Sequence, residues 1–205
     1  YVQLDQIPEN LQKAVVSIED ERFYEHNGID PKGILRALMI NIQTHSFSQG
    51  ASTITQQLIK NEVLTSEKQL TRKIQEQYLA VQLEKNLTEK LGSKEAAKNY
   101  ILELYLNTMS LGHGLNGVQA ASLYYFGKNV SELTLAECAT LAGITKNPSY
   151  YSPVRFPEHT TERRATVLQK MVDLGYITQA QADEANATDV TSLLASGDTT
   201  VDQAK

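Results

Sequence analysis

The sequence predicts a mainly α-helical fold. Apolar residues recur at helical spacing along most of the 205 residues, alternating runs bounded by turn residues are scarce, and Pro8 and Pro31 stand where a first helical turn accepts proline. The spacing places helices over residues 8–24, 31–43, 52–61, 66–85, 94–107, 116–124, 134–144, 158–174 and 178–186.

The first helix opens at Pro8 and carries Val15, Val16 and Phe23 on the face shared with Glu19, because neighbours on a helix lie three and four residues apart. Glu19 interrupts that apolar stripe, whereas Asp20 and Glu21 point toward other faces. The second helix opens at Pro31. After it, NIQTHSFSQGAS is polar and Ser-rich, which predicts a mobile loop over its neighbours. The third helix starts at Ser52 or Thr53 as N-cap, with Gly50 before it granting an unusual backbone angle. On the fourth, Leu70, Ile74, Tyr78 and Val81 form one apolar stripe and Leu79, Ala80 and Leu83 a second. Glu76 falls inside the second stripe, with Arg72 one turn before it. In LAECATLAG, Cys138 sits among small apolar residues as a core thiol. The eighth helix stops at LGYIT, where Thr178 caps the ninth. Residues 187–205 lose periodicity, gain Thr, Ser and Asp, and read as a linker after a single domain over 1–186.

Composition bounds the function. Apolar content of 41% with 21% charged residues is that of a folded domain. A net charge of -5 and a pI of about 5.4 argue against nucleic acid as the main partner. The single cysteine forms no internal disulfide. No run approaches the ~20 apolar residues that span a bilayer, and no signal peptide is present. The chain starts at Tyr1 instead of Met and is expected to be an excised domain, with any anchor or export signal upstream.

The candidate chemistry is carboxylate chemistry. Glu19 is either a glutamate whose stem packs on Phe23 or a carboxylate tuned for proton transfer. Glu76 with Arg72 is either a buried ion pair or part of a polar cleft wall. Two embedded glutamates together suit acid/base work on sugars. Between them QGASTITQQLIKN supplies Gln56, Gln57, Lys60 and Asn61 and free amides at a helix start, groups compatible with a phosphate. The four histidines show no metal-ligand spacing. LGHGLNG lacks a preceding strand, and no G-x-S-x-G or S-x-x-K is present, so dinucleotide binding and acyl-enzyme chemistry are not indicated.

Five ordered blocks, EDERFYEHNGID, GASTITQQLIKN, RKIQEQYLAVQLEKN, ILELYLNTMSLGHGLNGVQAASLYYFGK and RRATVLQKM, resemble those of the peptidoglycan glycosyltransferases. In that family the module is the amino-terminal half of class A (bifunctional) penicillin-binding proteins or a monofunctional enzyme. The resemblance covers roughly residues 7–185. It implies a lysozyme-like helical fold with a larger head lobe and a smaller membrane-facing jaw lobe. It implies inverting polymerisation of lipid II into β-1,4-linked glycan, with release of undecaprenyl pyrophosphate. Catalytic roles carry over to Glu19 as general base and Glu76 at the leaving pyrophosphate. Substrate-binding roles carry over to Asp20, Phe23, His26, Gly50, Thr53, Gln57, Lys60, Asn61, Arg72, Lys73 and Lys146, and Glu103 and Asn107 lie in the fourth block. The resemblance allows a divalent cation, Mg or Mn, at the pyrophosphate, assigns no metal ligand and needs no organic cofactor. Expected partners are lipid II, the growing lipid-linked glycan, the membrane surface, moenomycin-type inhibitors, and cell wall synthesis or division proteins. The expected location is the extracytoplasmic face of the bacterial cytoplasmic membrane, anchored by a helix upstream of Tyr1. Two rival expectations are a lysozyme-like hydrolase of the same glycan and a non-enzymatic glycan-binding module.

Overall fold

A computed structural model of the chain describes residues 1–44, 50–62 and 69–195. Among the described residues ten α-helices follow one another: α1 (Glu9–Glu19), α2 (Pro31–Thr44), α3 (Ile54–Glu62), α4 (Gln69–Leu91), α5 (Lys94–Thr108), α6 (Val118–Phe126), α7 (Leu135–Ile144), α8 (Pro157–Asp173), α9 (Gln179–Ala187) and α10 (Val190–Leu193). Among the described residues there is no strand, only one isolated bridge between Ser110 and Asn116. The fold is mainly α, as the periodicity predicts.

Two helix ends differ from expectation by five residues or more. α1 stops at Glu19 instead of running to residue 24. Asp20 leaves the helix because its carboxylate is taken by the Ile54 amide and by His26, and the chain turns with Phe23 N–H donating to the Asp20 carbonyl. Phe23 therefore does not stand one turn above Glu19, although it is fully buried. At the other end, α4 runs six residues past the expected 85, to Leu91, and stops where Gly92 adopts φ +82°.

The chain forms two compact units, Tyr1–Ile18 with Leu106–Lys205, and Glu19–Tyr105. In the first, α7 packs on α8 and α8 on α9. Every residue of α7 from Ala136 to Ile144 is buried, Cys138 included, and Thr134 and Glu137 close a reciprocal capping box at its start. The Arg164 guanidinium is fully buried and donates to the carbonyls of Asn186 and Thr188, which closes the end of α9. Asn107 pairs with both backbone groups of Val2 and pins the start of the chain. Within the expected linker, Val190 is buried, Asp189 caps the turn of α10, and the Ala195 amide donates to the Tyr125 carbonyl.

The second unit carries most of the candidate chemistry. Here α3 packs on α4, whose buried row is Glu76, Ala80 and Glu84, one residue per turn. The expected stripe through Ile74 and Tyr78 faces outward instead, at 69% and 65% exposure. The loop after α1 passes so close to this helix that a Cβ on Gly28 would lie 2.6 Å from the Ala80 carbonyl, and Gly28 has φ +89°. Only glycine meets both demands. α2 buries little beyond Gly33 and Ala37, and exposes Leu35, Leu38, Met39 and Ile42.

Candidate active site

Glu19 ends α1, half-buried, and its Oε2 accepts a hydrogen bond from Gln57 Nε2 at 2.9 Å. Gln57 reaches it from the first turn of α3. The other end of the same amide, Oε1, accepts from the Tyr105 hydroxyl, also at 2.9 Å. Tyr105 is buried, and burial together with the charges of Glu19 and Asp20 pushes its phenol well above the ordinary range. It therefore remains a hydroxyl donor at any working pH.

The start of α3 is held from two sides. Thr53 caps it, with its Oγ1 accepting from the Gln56 amide while its own amide donates to Gln56 Oε1. The Thr53 hydroxyl in turn donates to the Gly28 carbonyl at 2.7 Å. The next amide, Ile54 N–H, donates to Asp20 Oδ2 at 3.0 Å, a carboxylate at the positive end of a helix. The amides of Thr53, Ile54, Gln56 and Gln57 are thus all engaged within the protein. These four donors are therefore not available to an anion, because Asp20 and the capping box occupy them.

Behind Asp20 lies a buried chain of polar groups. His26 Nε2 meets both Asp20 oxygens, at 3.0 and 2.9 Å, and His26 Nδ1 faces Lys98 Nζ at 3.3 Å. Lys98 Nζ also donates to Glu84 Oε1 at 2.7 Å, and Thr55 Oγ1 donates to the same oxygen at 2.6 Å. The ammonium stands 4.4 Å from the Phe23 ring centroid, a cation–π contact that gives this ring its place in the site. An ammonium can only donate, so His26 Nδ1 accepts from it and Nε2 carries the hydrogen directed at Asp20. Burial lowers the Lys98 pKa, and the Glu84 carboxylate acts in the opposite direction.

Glu76, on α4, is 3% exposed and bracketed by cations. Lys73 Nζ lies 3.0 Å from its Oε2 and Arg72 Nε 3.5 Å from its Oε1, while Lys73 also donates to Ser52 Oγ at 2.7 Å. The two glutamates are held in different ways. Glu19 is held by a neutral amide; Glu76 organises two positive side chains that remain partly exposed. Among the described residues no group of three or more His, Cys, Asp or Glu side chains gathers as a metal would require. With lysine and arginine already against Glu76, the donor set does not fit a cation held by the protein.

Of the expected site residues, the structure joins Glu19 to Gln57, Asp20 to His26 and to the helix begun at Thr53, and Arg72 and Lys73 to Glu76. Gly50, Lys60 and Asn61 are exposed in the same unit, and Lys146 is exposed just after α7 in the other. Residues 45–49 and 63–68 lie outside the described residues, among them five of the twelve residues of the expected mobile loop, whose first four residues belong instead to α2. Sequence reading missed Glu84, Lys98 and Tyr105, and took Ser52 only as a helix cap. A signal was present for two of them: Glu84 repeats the position of Glu76 two turns on, and Lys98 interrupts the apolar run AAKNYIL.

Residues 1–172 match the family model described as Transglycosylase. Penicillin-binding protein 1A of Escherichia coli is 49% identical over 183 residues, 89% of this chain and 20% of that protein. Penicillin-binding protein 1A of Aquifex aeolicus is 46% identical over 185 residues, covering 90% of this chain and 24% of its own. A putative transglycosylase of Cupriavidus necator is 46% identical over 90% of this chain and 76% of its own length. The crystal structure of penicillin-binding protein 1A from Haemophilus influenzae superposes with a TM-score of 0.52 at 26% identity, over 91% of this chain and 17% of that one. The chain thus spans about a fifth of the length of the penicillin-binding proteins it matches.

Proposed function

The chain belongs to the transglycosylase family of peptidoglycan glycosyltransferases, and we propose that it polymerises lipid II, with the growing lipid-linked glycan as donor and another lipid II as acceptor. The observation that carries the reading is the unlike treatment of the two carboxylates. Glu19, oriented by an amide, is the base; Glu76, bracketed by Arg72 and Lys73, is an organiser of positive charge.

In this mechanism Glu19 removes the proton from the 4-hydroxyl of the acceptor N-acetylglucosamine. The freed oxygen forms a bond to the anomeric carbon of the donor N-acetylmuramic acid while the bond from that carbon to the pyrophosphate oxygen breaks. Attack on the face opposite the leaving group converts α to β. The electron pair departs on the lipid pyrophosphate, whose growing charge is met by Arg72, Lys73 and exposed Lys60. Asp20, His26 and Phe23 hold the start of α3, and with it Gln57, in register with Glu19. Lys146 and Asn61 are further contacts to the substrate.

The exposed apolar face of α2, Leu35, Leu38, Met39 and Ile42 at 54–63% exposure, supports work at a lipid surface, where the substrate's polyprenyl tail resides. Among the described residues no helix is long and apolar enough to cross a membrane. In the intact protein, a transmembrane helix before Tyr1 would hold the domain on the extracytoplasmic side, and residues 187–205 would lead toward a transpeptidase domain. Moenomycin-type phosphoglycolipids would compete at the same cationic residues. Incubation with labelled lipid II tests the reading. Polymer supports it, while cleavage of preformed glycan or binding without turnover would assign the domain to one of its rivals.

A further inference from the structure

Gln57 is engaged at both ends of one amide, with Nε2 on Glu19 and Oε1 on the Tyr105 hydroxyl. A carboxamide has nearly the same shape when turned by 180°, so shape alone does not decide which end faces the carboxylate. The turned amide would set its oxygen against an ionised Glu19, acceptor against acceptor. It would also take from the Tyr105 O–H the acceptor it now has, leaving the phenol oxygen to accept from an N–H2 group, in a site where the ring is 2% exposed. An unsatisfied buried donor is costly. Because Tyr105 is kept in its neutral form, that bias is present throughout the working pH range.

We propose that Tyr105 is a positioning residue for the glycosyl transfer: its hydroxyl locks the Gln57 amide in the orientation that donates to Glu19 Oε2, and so fixes the direction in which the carboxylate meets the acceptor hydroxyl. This rests on the reading of Glu19 as the base. It assigns Gln57 an internal task, whereas the family resemblance makes it a substrate contact. Its loss is then felt in kcat and not in KM.

The test uses Tyr105→Phe, Gln57→Met and the double variant, with polymerisation of lipid II as the assay and Glu19→Gln run in parallel. Tyr105→Phe removes one oxygen and keeps the ring, so its thermal melting should match that of the unchanged domain. Its kcat should fall about tenfold with KM unchanged, in line with the loss of one hydrogen bond that orients a charged group. Gln57→Met keeps the side-chain length without the amide and should lower kcat at least as much. Adding Tyr105→Phe to Gln57→Met should then change nothing, since the hydroxyl acts only through the amide. Full kcat in Tyr105→Phe, or additive losses in the double variant, overturns the proposal while leaving the base reading intact if Glu19→Gln is inactive. An active Glu19→Gln variant overturns both.

Discussion

Lys98 faces His26 across 3.3 Å with its ammonium directed at Nδ1, so that a fully buried lysine decides which nitrogen of the histidine carries the hydrogen bound for Asp20. Lys98 and Glu84 have side chains only 1% and 5% exposed, and the lysine is the shared cation of two buried carboxylates. Replacing Lys98 by Met should destabilise the domain by about 3–5 kcal/mol, the usual result of leaving a buried charge without its partner. Thermal melting of Lys98→Met against Lys98→Met with Glu84→Gln checks this. The second change should restore part of the loss, and a single variant as stable as the parent would refute the account.

Glu19→Gln should reduce lipid II polymerisation by roughly 100-fold to 10,000-fold, the range for losing a general base. The variant should fold and still bind substrate, because the amide that holds Glu19 can also hold a glutamine oxygen. Gel analysis of glycan product beside a melting curve decides between a lost base and a lost fold.

The apolar face of α2 should matter for turnover at a membrane and little for stability. Leu38→Ser with Ile42→Ser should change melting by an amount typical of exposed sites, within about 0.5 kcal/mol each. Turnover on lipid II in vesicles should fall severalfold, with a smaller loss on a short-chain soluble analogue. Equal losses on both substrates would place these side chains in the substrate site, not at the lipid surface.

Asp30 supplies an acid-linked component of stability. Burial raises its carboxyl, but the Gly33 amide and the Arg22 guanidinium outweigh burial and hold the pKa below the ordinary value. A carboxylate whose folded pKa lies below its unfolded value stabilises fully above the unfolded value, about 4, and loses that contribution as pH falls through the folded one. Asp30→Asn removes the ionisable group. The melting gap between parent and variant should be widest near pH 6 and close steadily below about pH 4.

Cys138 should be inert in the folded protein. Burial, followed by the neighbouring Glu137 carboxylate, pushes its thiol up to about 12, and the side chain is fully enclosed in α7. At pH 8 a thiol reagent should react only as fast as the unit opens, and addition of denaturant should release a single equivalent.

Helix type and order were legible in the sequence because the apolar period is a local property. The end of α1 was not, since Asp20 abandons the helix for partners 34 and 6 residues away, which no local period encodes. Glu76 was recognisable as an embedded acid by its place among Leu79, Ala80 and Leu83. The outward face of Ile74 and Tyr78 was not, because an apolar stripe does not announce whether it meets protein or solvent. Tyr105 was hidden for a different reason: an aromatic within an apolar helix looks like core, and only its hydroxyl contact separates it from core.

The double restraint on the start of α3 has a consequence for time as well as for shape. A polymerase repeats one reaction many times on a lengthening strand, and any element rebuilt between cycles would delay every addition. Thr53 and Asp20 engage these amides before substrate arrives, so the reorganisation that carries Gln57 to Glu19 is completed once, when the domain folds. On the proposed reading, the segment that supports Glu19 would then be at its working geometry at the first sugar and at the hundredth, and the pace of successive additions would be left to substrate binding, chemistry and release.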